Sequence, residues 1–143
     1  MGRRLDGGSE QKTYAVSSLD ELGEGYGFRK IRKPLGVTAF GVNAIVFPPR
    51  YEGPAHFHET QDELYFVHRG TALFTVAGEE QLVGEGGLVH VQSTTPRQIA
   101  NPTDADLVVL VVGGKGGYVE RDGHLVNADD LEKRQRMARG EVT

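Results

Sequence analysis

Short apolar and β-branched runs follow one another along most of this chain, and glycines, prolines or polar turns separate them. The runs recur at roughly 8–12-residue intervals, a spacing typical of β-sandwiches and barrels. Strands are predicted at residues 28–31, 38–47, 55–58, 63–69, 71–76, 80–83, 88–92, 97–101 and 107–112. Because no long helical segment separates these runs, the pattern disfavours a parallel α/β sheet and predicts an all-β sandwich or closed barrel.

The two ends of the chain carry helical signals. Residues 17–22 combine two serines with acidic residues, which predicts a single N-terminal helical turn. Residues 129–139 predict a C-terminal helix, with Asn127 or Asp129 near its cap. The predicted organisation is a flexible tail over residues 1–12, a barrel over 13–126, and a helix and tail over 127–143.

Composition narrows the functional classes. The 143 residues fit one domain with its own core. The absence of cysteine excludes disulfides, zinc fingers and thiol nucleophiles. A net charge of −4 argues against nucleic-acid binding. The longest apolar run, residues 107–112, is too short to span a membrane, and no apolar signal segment follows Met1. A cytoplasmic location without membrane or nucleic-acid partners is therefore expected.

The candidate chemistry lies between residues 56 and 63. His56 and His58 are two positions apart on a predicted strand, so both point to one face with Cβ atoms ~6.6 Å apart. Two imidazoles at that separation can reach one metal ion. Glu63 begins the next apolar run and offers a carboxylate from a neighbouring strand. Asp62 is its alternative, but strand alternation sends only one of the two inward.

Residues 56–70 resemble the first motif of the cupins, in which HxH is followed by a glutamate and then a glycine. His56, His58, Glu63 and Gly70 fill its positions. Residues 84–101 resemble the second motif in outline, since Gly84 and Asn101 fit. They also depart from it, because residues 92–94 replace the PxG turn and Arg97 stands where the motif has histidine.

The resemblance implies a small antiparallel jelly-roll barrel with a ligand cavity at its mouth. It also implies that His56, His58 and Glu63 hold a divalent metal, with iron, manganese, nickel, zinc and copper as candidates. The expected function is binding of that metal and of a small polar or anionic organic ligand, with oxygenase or isomerase activity among the options. The alternative is a metal-free or non-catalytic cupin that binds or senses a small molecule.

Arg97 leaves three arrangements open, because arginine has no lone pair for a metal. In the first, three residues hold the metal and Arg97 binds an anionic substrate group. In the second, Arg97 pairs with Glu63 in place of the ion, and the histidines serve as hydrogen-bonding or acid–base groups. In the third, another donor replaces the lost histidine; the candidates are His90, Gln98 and Gln61.

Substrate contact is predicted for Arg97, Tyr65 and Gln61. Tyr65 and Val67 share strand parity with Glu63 and should face the cavity, whereas His68 should face away. The edges of such sheets need protection, and pairing of two chains would provide it, so a homodimer is expected.

Overall fold

The computed structural model describes residues 13–142, which form ten strands and two short α-helices. The strands are β1 (Gly27–Lys30), β2 (Gly41–Phe47), β3 (His56–His58), β4 (Asp62–Arg69), β5 (Ala72–Val76), β6 (Glu79–Val83), β7 (Leu88–Val91), β8 (Arg97–Ala100), β9 (Leu107–Gly114) and β10 (Gly123–Leu125). The helices are α1 (Arg32–Leu35) and α2 (Leu131–Ala138). The predicted flexible tail, residues 1–12, lies outside the described residues.

Two five-stranded sheets face each other. One has the strand order β1-β2-β9-β4-β7, and the other has the order β10-β3-β8-β5-β6. Every neighbouring pair of strands is antiparallel. The chain crosses repeatedly between the sheets, which is the jelly-roll arrangement. The all-β antiparallel prediction is therefore confirmed.

Alternation along β4 shows why these residues form a half-buried strand. Glu63, Tyr65 and Val67 are buried between the sheets, while Leu64 and His68 are exposed on the outer face. The expected parity of this strand is therefore observed. Inward-facing residues of both sheets form the main core, which includes Phe47, Val67, Ala72, Phe74, Ile99, Leu107 and Val109.

The interior of the barrel becomes more polar towards the start of β4. There β9 places Gly113 opposite Glu63, whereas β9 otherwise contributes the apolar side chains of Leu107, Val109 and Val111 to the interior. A Cβ atom at residue 113 would lie 3.0 Å from the Nε2 atom of Gln61. The glycine therefore leaves room for polar side chains at this end of the barrel.

The predicted N-terminal helical turn is not a helix in the structure. Residues 19–22 form a hydrogen-bonded turn, in which the Ser18 hydroxyl oxygen accepts from the Glu21 amide at 3.2 Å. Glycines begin at Gly23 and prevent the turn from continuing. The turn still has a packing role, because Leu19 and Leu22 lie against Val42 and Ala44 on the outer face of β2.

The C-terminal helix is confirmed in shorter form. A 3-10 turn at Ala128–Asp130 precedes α2, and the Asn127 side chain accepts from the Asp129 amide at 3.0 Å. The buried residue Met137 attaches α2 to the barrel. Within residues 13–142, neither helix is long and apolar enough to cross a membrane.

Candidate metal and ligand site

The polar end of the barrel collects side chains from both sheets. Strand β3 contributes His56 and His58, and β4 of the opposite sheet contributes Glu63. Strand β8 places Arg97 directly beside His56 in the β3–β8 pair. The sequence separates these residues by as many as 41 positions, but the crossovers of the jelly roll bring them together.

The two imidazoles converge on one carboxylate oxygen. The Nε2 atom of His58 lies 3.1 Å from Oε1 of Glu63, and Nε2 of His56 lies 3.7 Å from the same oxygen. One ligand atom from each of the three residues lies within 4.8 Å of the other two. His58 is buried and His56 is partly exposed, so the cluster is reached from the His56 side.

Glu63 makes further polar contacts with its surroundings. The Tyr65 hydroxyl and Nη1 of Arg97 both donate to Oε1, the latter at 2.8 Å, and Nε2 of Gln61 donates to Oε2 at 3.3 Å. Burial raises the pKa of the Glu63 carboxyl, but its contacts with His56, His58 and Tyr65 outweigh burial. The pKa therefore lies far below the ordinary value of 4.5, and Glu63 is ionised.

Arg97 is held almost entirely by the protein. It is 1% exposed, and besides Glu63 its guanidinium donates to three backbone carbonyls. These belong to Thr95 (2.9 Å from Nε), Gln92 (2.7 Å from Nη2) and Ser93 (3.1 Å from Nη2). The turn that replaces the PxG sequence is thus folded around this guanidinium. The pairing of Arg97 with Glu63 is the one named in the second arrangement, and substrate contact by Arg97 stays a prediction.

The other candidates named from the sequence lie in different places. Gln61 belongs to the cluster through Glu63. His90 is exposed on the outer face, opposite Leu64, and Gln98 donates to the Gly53 carbonyl at 2.9 Å. Asp62 accepts from the Ser93 amide at 3.0 Å on the side away from Glu63. Of the three replacement donors, only Gln61 reaches the site.

A cavity of about 380 Å³ opens beside this cluster. Its polar end is formed by His56, His58, Gln61, Glu63 and Tyr65. Its walls are largely apolar, and include Phe28, Ile45, Phe47, Ile99, Val111 and Met137. The segment after β9 and helix α2 complete the lining. The site thus combines a small polar centre with an apolar chamber, as ligand pockets commonly do.

Comparison with known proteins identifies the fold family. Residues 44–113 match the family model described as "Cupin domain", a segment that begins in β2 and ends in β9. This segment is a cupin domain. The first cupin motif supplies His56, His58, Glu63 and Gly70. The second motif supplies Gly84 and Asn101. No match was found among the curated proteins.

Solved structures share this cupin architecture at low sequence identity. A cupin protein from Bacteroides fragilis has a TM-score of 0.65 and 22% identity, and the match covers 77% of this chain and 91% of that one. A polyketide cyclase from Streptomyces resistomycificus has a TM-score of 0.67 and 20% identity, over 84% of this chain and 92% of that one. A sugar phosphate isomerase of the cupin superfamily from Silicibacter pomeroyi has a TM-score of 0.59 and 21% identity, and the match covers 71% of this chain and 76% of that one. At these identities the likeness concerns the fold.

The donor set of the cupin site suits a transition-metal ion. Two imidazoles and one carboxylate form a typical facial set. An ion bound at ~2.1 Å to each donor places neighbouring donors ~3 Å apart when the bonds are perpendicular. The His58–Glu63 distance of 3.1 Å meets this condition, and the His56–Glu63 distance of 3.7 Å needs a small contraction. Arg97 disfavours metal binding, because its positive charge offsets the negative charge of the Glu63 carboxylate.

Sequence reasoning missed Asp122, which stands just before β10. Its Oδ2 atom accepts from the amides of Gln61 at 2.7 Å and Thr60 at 3.0 Å, and lies 3.5 Å from Nδ1 of His58. That Nδ1 atom is buried and has no hydrogen-bond partner among the described residues. Burial raises the pKa of Asp122, but the amide hydrogen bonds outweigh burial and hold the pKa below its ordinary value. A carboxylate behind a metal-binding imidazole is a common supporting arrangement.

No pattern in the sequence marked Asp122. It lies 64 residues after His58 in a polar segment, and the short strand β10 that follows it has no apolar alternation. The only local signal is the glycine at position 123. A Cβ atom there would lie 3.4 Å from the His58 ring, so this glycine permits close approach.

Proposed function

We propose that this cupin binds a divalent metal through His56, His58 and Glu63, and a small organic ligand in the adjoining cavity. The convergence of both Nε2 atoms on Glu63 Oε1, at 3.7 and 3.1 Å, carries this proposal. The unpartnered Nδ1 atom of His58 beside Asp122 supports it, because that nitrogen can donate to the carboxylate while Nε2 serves as a ligand.

A metal bound by these residues would supply Lewis-acid or dioxygen-activating chemistry. The chain's own residues hold the donors in place: Arg97 and Tyr65 fix Glu63, while Asp122 lies behind His58. Gln61 and Tyr65 line the cavity beside the donors and are the proposed ligand contacts. The folds of an isomerase and a cyclase resemble this one, so an isomerase is proposed as readily as an oxygenase.

Metal analysis tests the proposal directly. Protein purified without added metal, and then incubated separately with iron, manganese, nickel, zinc or copper, is desalted and analysed by mass spectrometry. We expect about one ion per chain for at least one metal, and loss of that ion in His56→Ala. His68→Ala is the matched control, because His68 is exposed on the outer face of β4. No retained ion with any of the five metals would contradict the proposal.

A metal-free binding or sensing protein is the second candidate. It is favoured by one observation: Arg97 Nη1 lies 2.8 Å from the oxygen that both imidazoles approach. A guanidinium there supplies the positive charge that a metal would bring. Arg97→His separates the candidates, provided its circular dichroism shows a folded barrel. Metal uptake by this variant alone, and none by the natural protein, would establish the second candidate.

A homodimer and a cytoplasmic location are proposed on separate grounds. Leu64 and Leu88 are exposed on the outer face of the paired strands β4 and β7, diagonally across the pair, and β7 is an edge strand of its sheet. Apolar side chains on a sheet edge favour burial against a second chain. A cytoplasmic location is proposed as the default, because nothing in the cysteine-free sequence requires an oxidising compartment.

A further inference from the structure

Two arginines at the cavity have no role in the proposed metal site. Arg121 belongs to the segment between β9 and β10, and Arg134 belongs to α2, yet both line the same cavity. Both are exposed, and neither forms an ion pair with another residue in the described range 13–142. Other arginines, such as Arg50 with Asp104 and Arg139 with Glu141, are paired at the surface. The two cavity arginines therefore keep their donors available.

The backbone holds Arg121 in place at a local cost. Its φ angle is 51°, in the left-handed region that non-glycine residues seldom occupy. The next residue, Asp122, anchors the segment through hydrogen bonds from the Thr60 and Gln61 amides. Such conformations persist where the surroundings fix them, and they concentrate at ligand sites.

The fixed charges around the cavity favour an anion. The lining holds two carboxylates, Glu63 and Asp122, and two guanidinium groups, those of Arg121 and Arg134. Buried Arg97 lies behind the lining and pairs with Glu63, which brings the balance of these five groups to +1. The whole chain carries −4. Both carboxylates are already satisfied, Glu63 by Arg97 and Asp122 by backbone amides. Arg121 and Arg134 are the cationic groups that a ligand can meet.

The rest of the lining is suited to an apolar body. Phe28 and Ile45 face each other across the β1–β2 pair, and Val111 and Met137 add to the same chamber. A volume of about 380 Å³ falls within the range of pockets that enclose small organic ligands. A small inorganic anion or a sugar would leave this apolar surface uncovered.

We infer that the ligand is an organic monoacid with an apolar body. Its acid group pairs with Arg121 and Arg134, its body lies along the apolar walls, and its far end meets His56, His58 and Glu63. The last part rests on the proposed function, since it places the reacting end at the metal-binding residues. The arginine contact does not depend on it.

Three commercial probes separate the features of this ligand. 4-Phenylbutyrate has the acid group and the apolar body, 4-phenylbutan-1-ol has the body without the charge, and malonate has charge without the body. Isothermal titration calorimetry with the full chain measures each affinity at low salt. We expect 4-phenylbutyrate to bind about tenfold or more tightly than either of the others, a difference typical of one charge-assisted hydrogen bond. Binding of the alcohol as tight as that of the acid would overturn the inference.

Variants then locate the acid group. Arg121→Gln and Arg134→Gln should each weaken 4-phenylbutyrate binding about tenfold and leave the alcohol unchanged. Arg69→Gln is the matched control, because Arg69 is an exposed arginine at the far end of β4. All three sites are exposed, so the variants should retain the natural melting temperature. Unchanged affinity in both Gln variants would overturn the inference.

Failure of this inference is distinguishable from failure of the metal proposal. If His56→Ala abolishes 4-phenylbutyrate binding while the arginine variants bind normally, the acid group meets the histidine end, and the inference is wrong. If binding depends on the arginines while the protein retains no metal, the inference stands and the metal proposal fails.

Discussion

The ionisation of buried Glu63, which its contacts with His56, His58 and Tyr65 favour, should set the acid stability of the barrel. The pKa of Glu63 is depressed below 4.5 in the folded protein, so its stabilising contribution is present above the pKa of the unfolded chain. That contribution is lost as the pH falls from about 4.5 towards the lower folded-state value. We therefore expect the free energy of unfolding of the metal-free protein to decrease over this range, as measured by urea unfolding at a series of pH values.

The variant Glu63→Gln tests the assignment. It removes the titrating group and leaves the Arg97 charge buried without its partner, which should cost about 3–5 kcal/mol at neutral pH. Below pH 4.5 its unfolding free energy should vary less with pH than that of the natural protein. Parallel curves for the two proteins would show that Glu63 is not the group responsible.

Asp122 is the residue-scale feature that ties the segment before β10 to the histidines. Asp122→Ala removes the acceptor of the Thr60 and Gln61 amides and should lower the free energy of unfolding by about 2 kcal/mol. Asp122→Asn keeps an acceptor oxygen and should lose less. Asp104→Ala is the control, because Asp104 pairs with Arg50 on the exposed surface and should give no measurable change. Equal stability of the two alanine variants would refute the anchoring role.

At the scale of elements, the turn after β4 requires a glycine at position 70, the last residue of the first cupin motif. Gly70 has a φ angle of 86°, and a Cβ atom there would lie 2.6 Å from the Asp106 carbonyl oxygen. Gly78, in the turn after β5, has a φ angle of 82° but open space around it. Gly78→Ala should therefore cost about 1–2 kcal/mol from backbone strain alone. Gly70→Ala should cost clearly more, because it adds a steric clash, and thermal unfolding of both variants measures the difference.

The elements predicted from the sequence are those with a strong local signal. Nine strands could be predicted because their apolar alternation and flanking turn residues depend on neighbouring positions only. Strand β10 has three residues without such alternation, and its pairing with β3 is decided by contacts over more than 60 positions. Helix α1 has four residues including Pro34, too few to produce a helical period.

The same distinction applies to the site. His56, His58 and Glu63 were predictable because they fall within one short motif. The roles of Asp122, Arg121 and Arg134 depend on where the last third of the chain returns to the barrel, which no local pattern encodes. The hydrogen bonds of Arg97 with the carbonyls of residues 92, 93 and 95 require the actual shape of an irregular turn.

On the scale of the whole molecule, the exposed leucines predict how two chains associate. Leu88 on edge strand β7 is 63% exposed, and Leu82 on edge strand β6 of the other sheet is 71% exposed. Leu88 lies opposite Phe66, and Leu64 stands two positions from Phe66 on the same outer face of β4. Leu82 lies opposite Leu73, but its neighbour on the same face of β6 is the charged residue Glu80. We expect a homodimer by light scattering, converted to monomer by Leu88→Glu and retained in Leu82→Glu. A monomeric natural protein, or a dimer lost only in Leu82→Glu, would contradict this prediction.

The division of the site between two layers has a thermodynamic consequence. The imidazoles of His56 and His58 belong to one sheet and the Glu63 carboxylate belongs to the other. An ion or molecule that contacts all three therefore links the two sheets. Occupancy is then linked to the opening motions that separate the layers, because a ligand bound only by the closed state shifts the balance towards it. Amide hydrogen exchange should slow in β3 and β4 together on binding, although no backbone hydrogen bond joins those two strands.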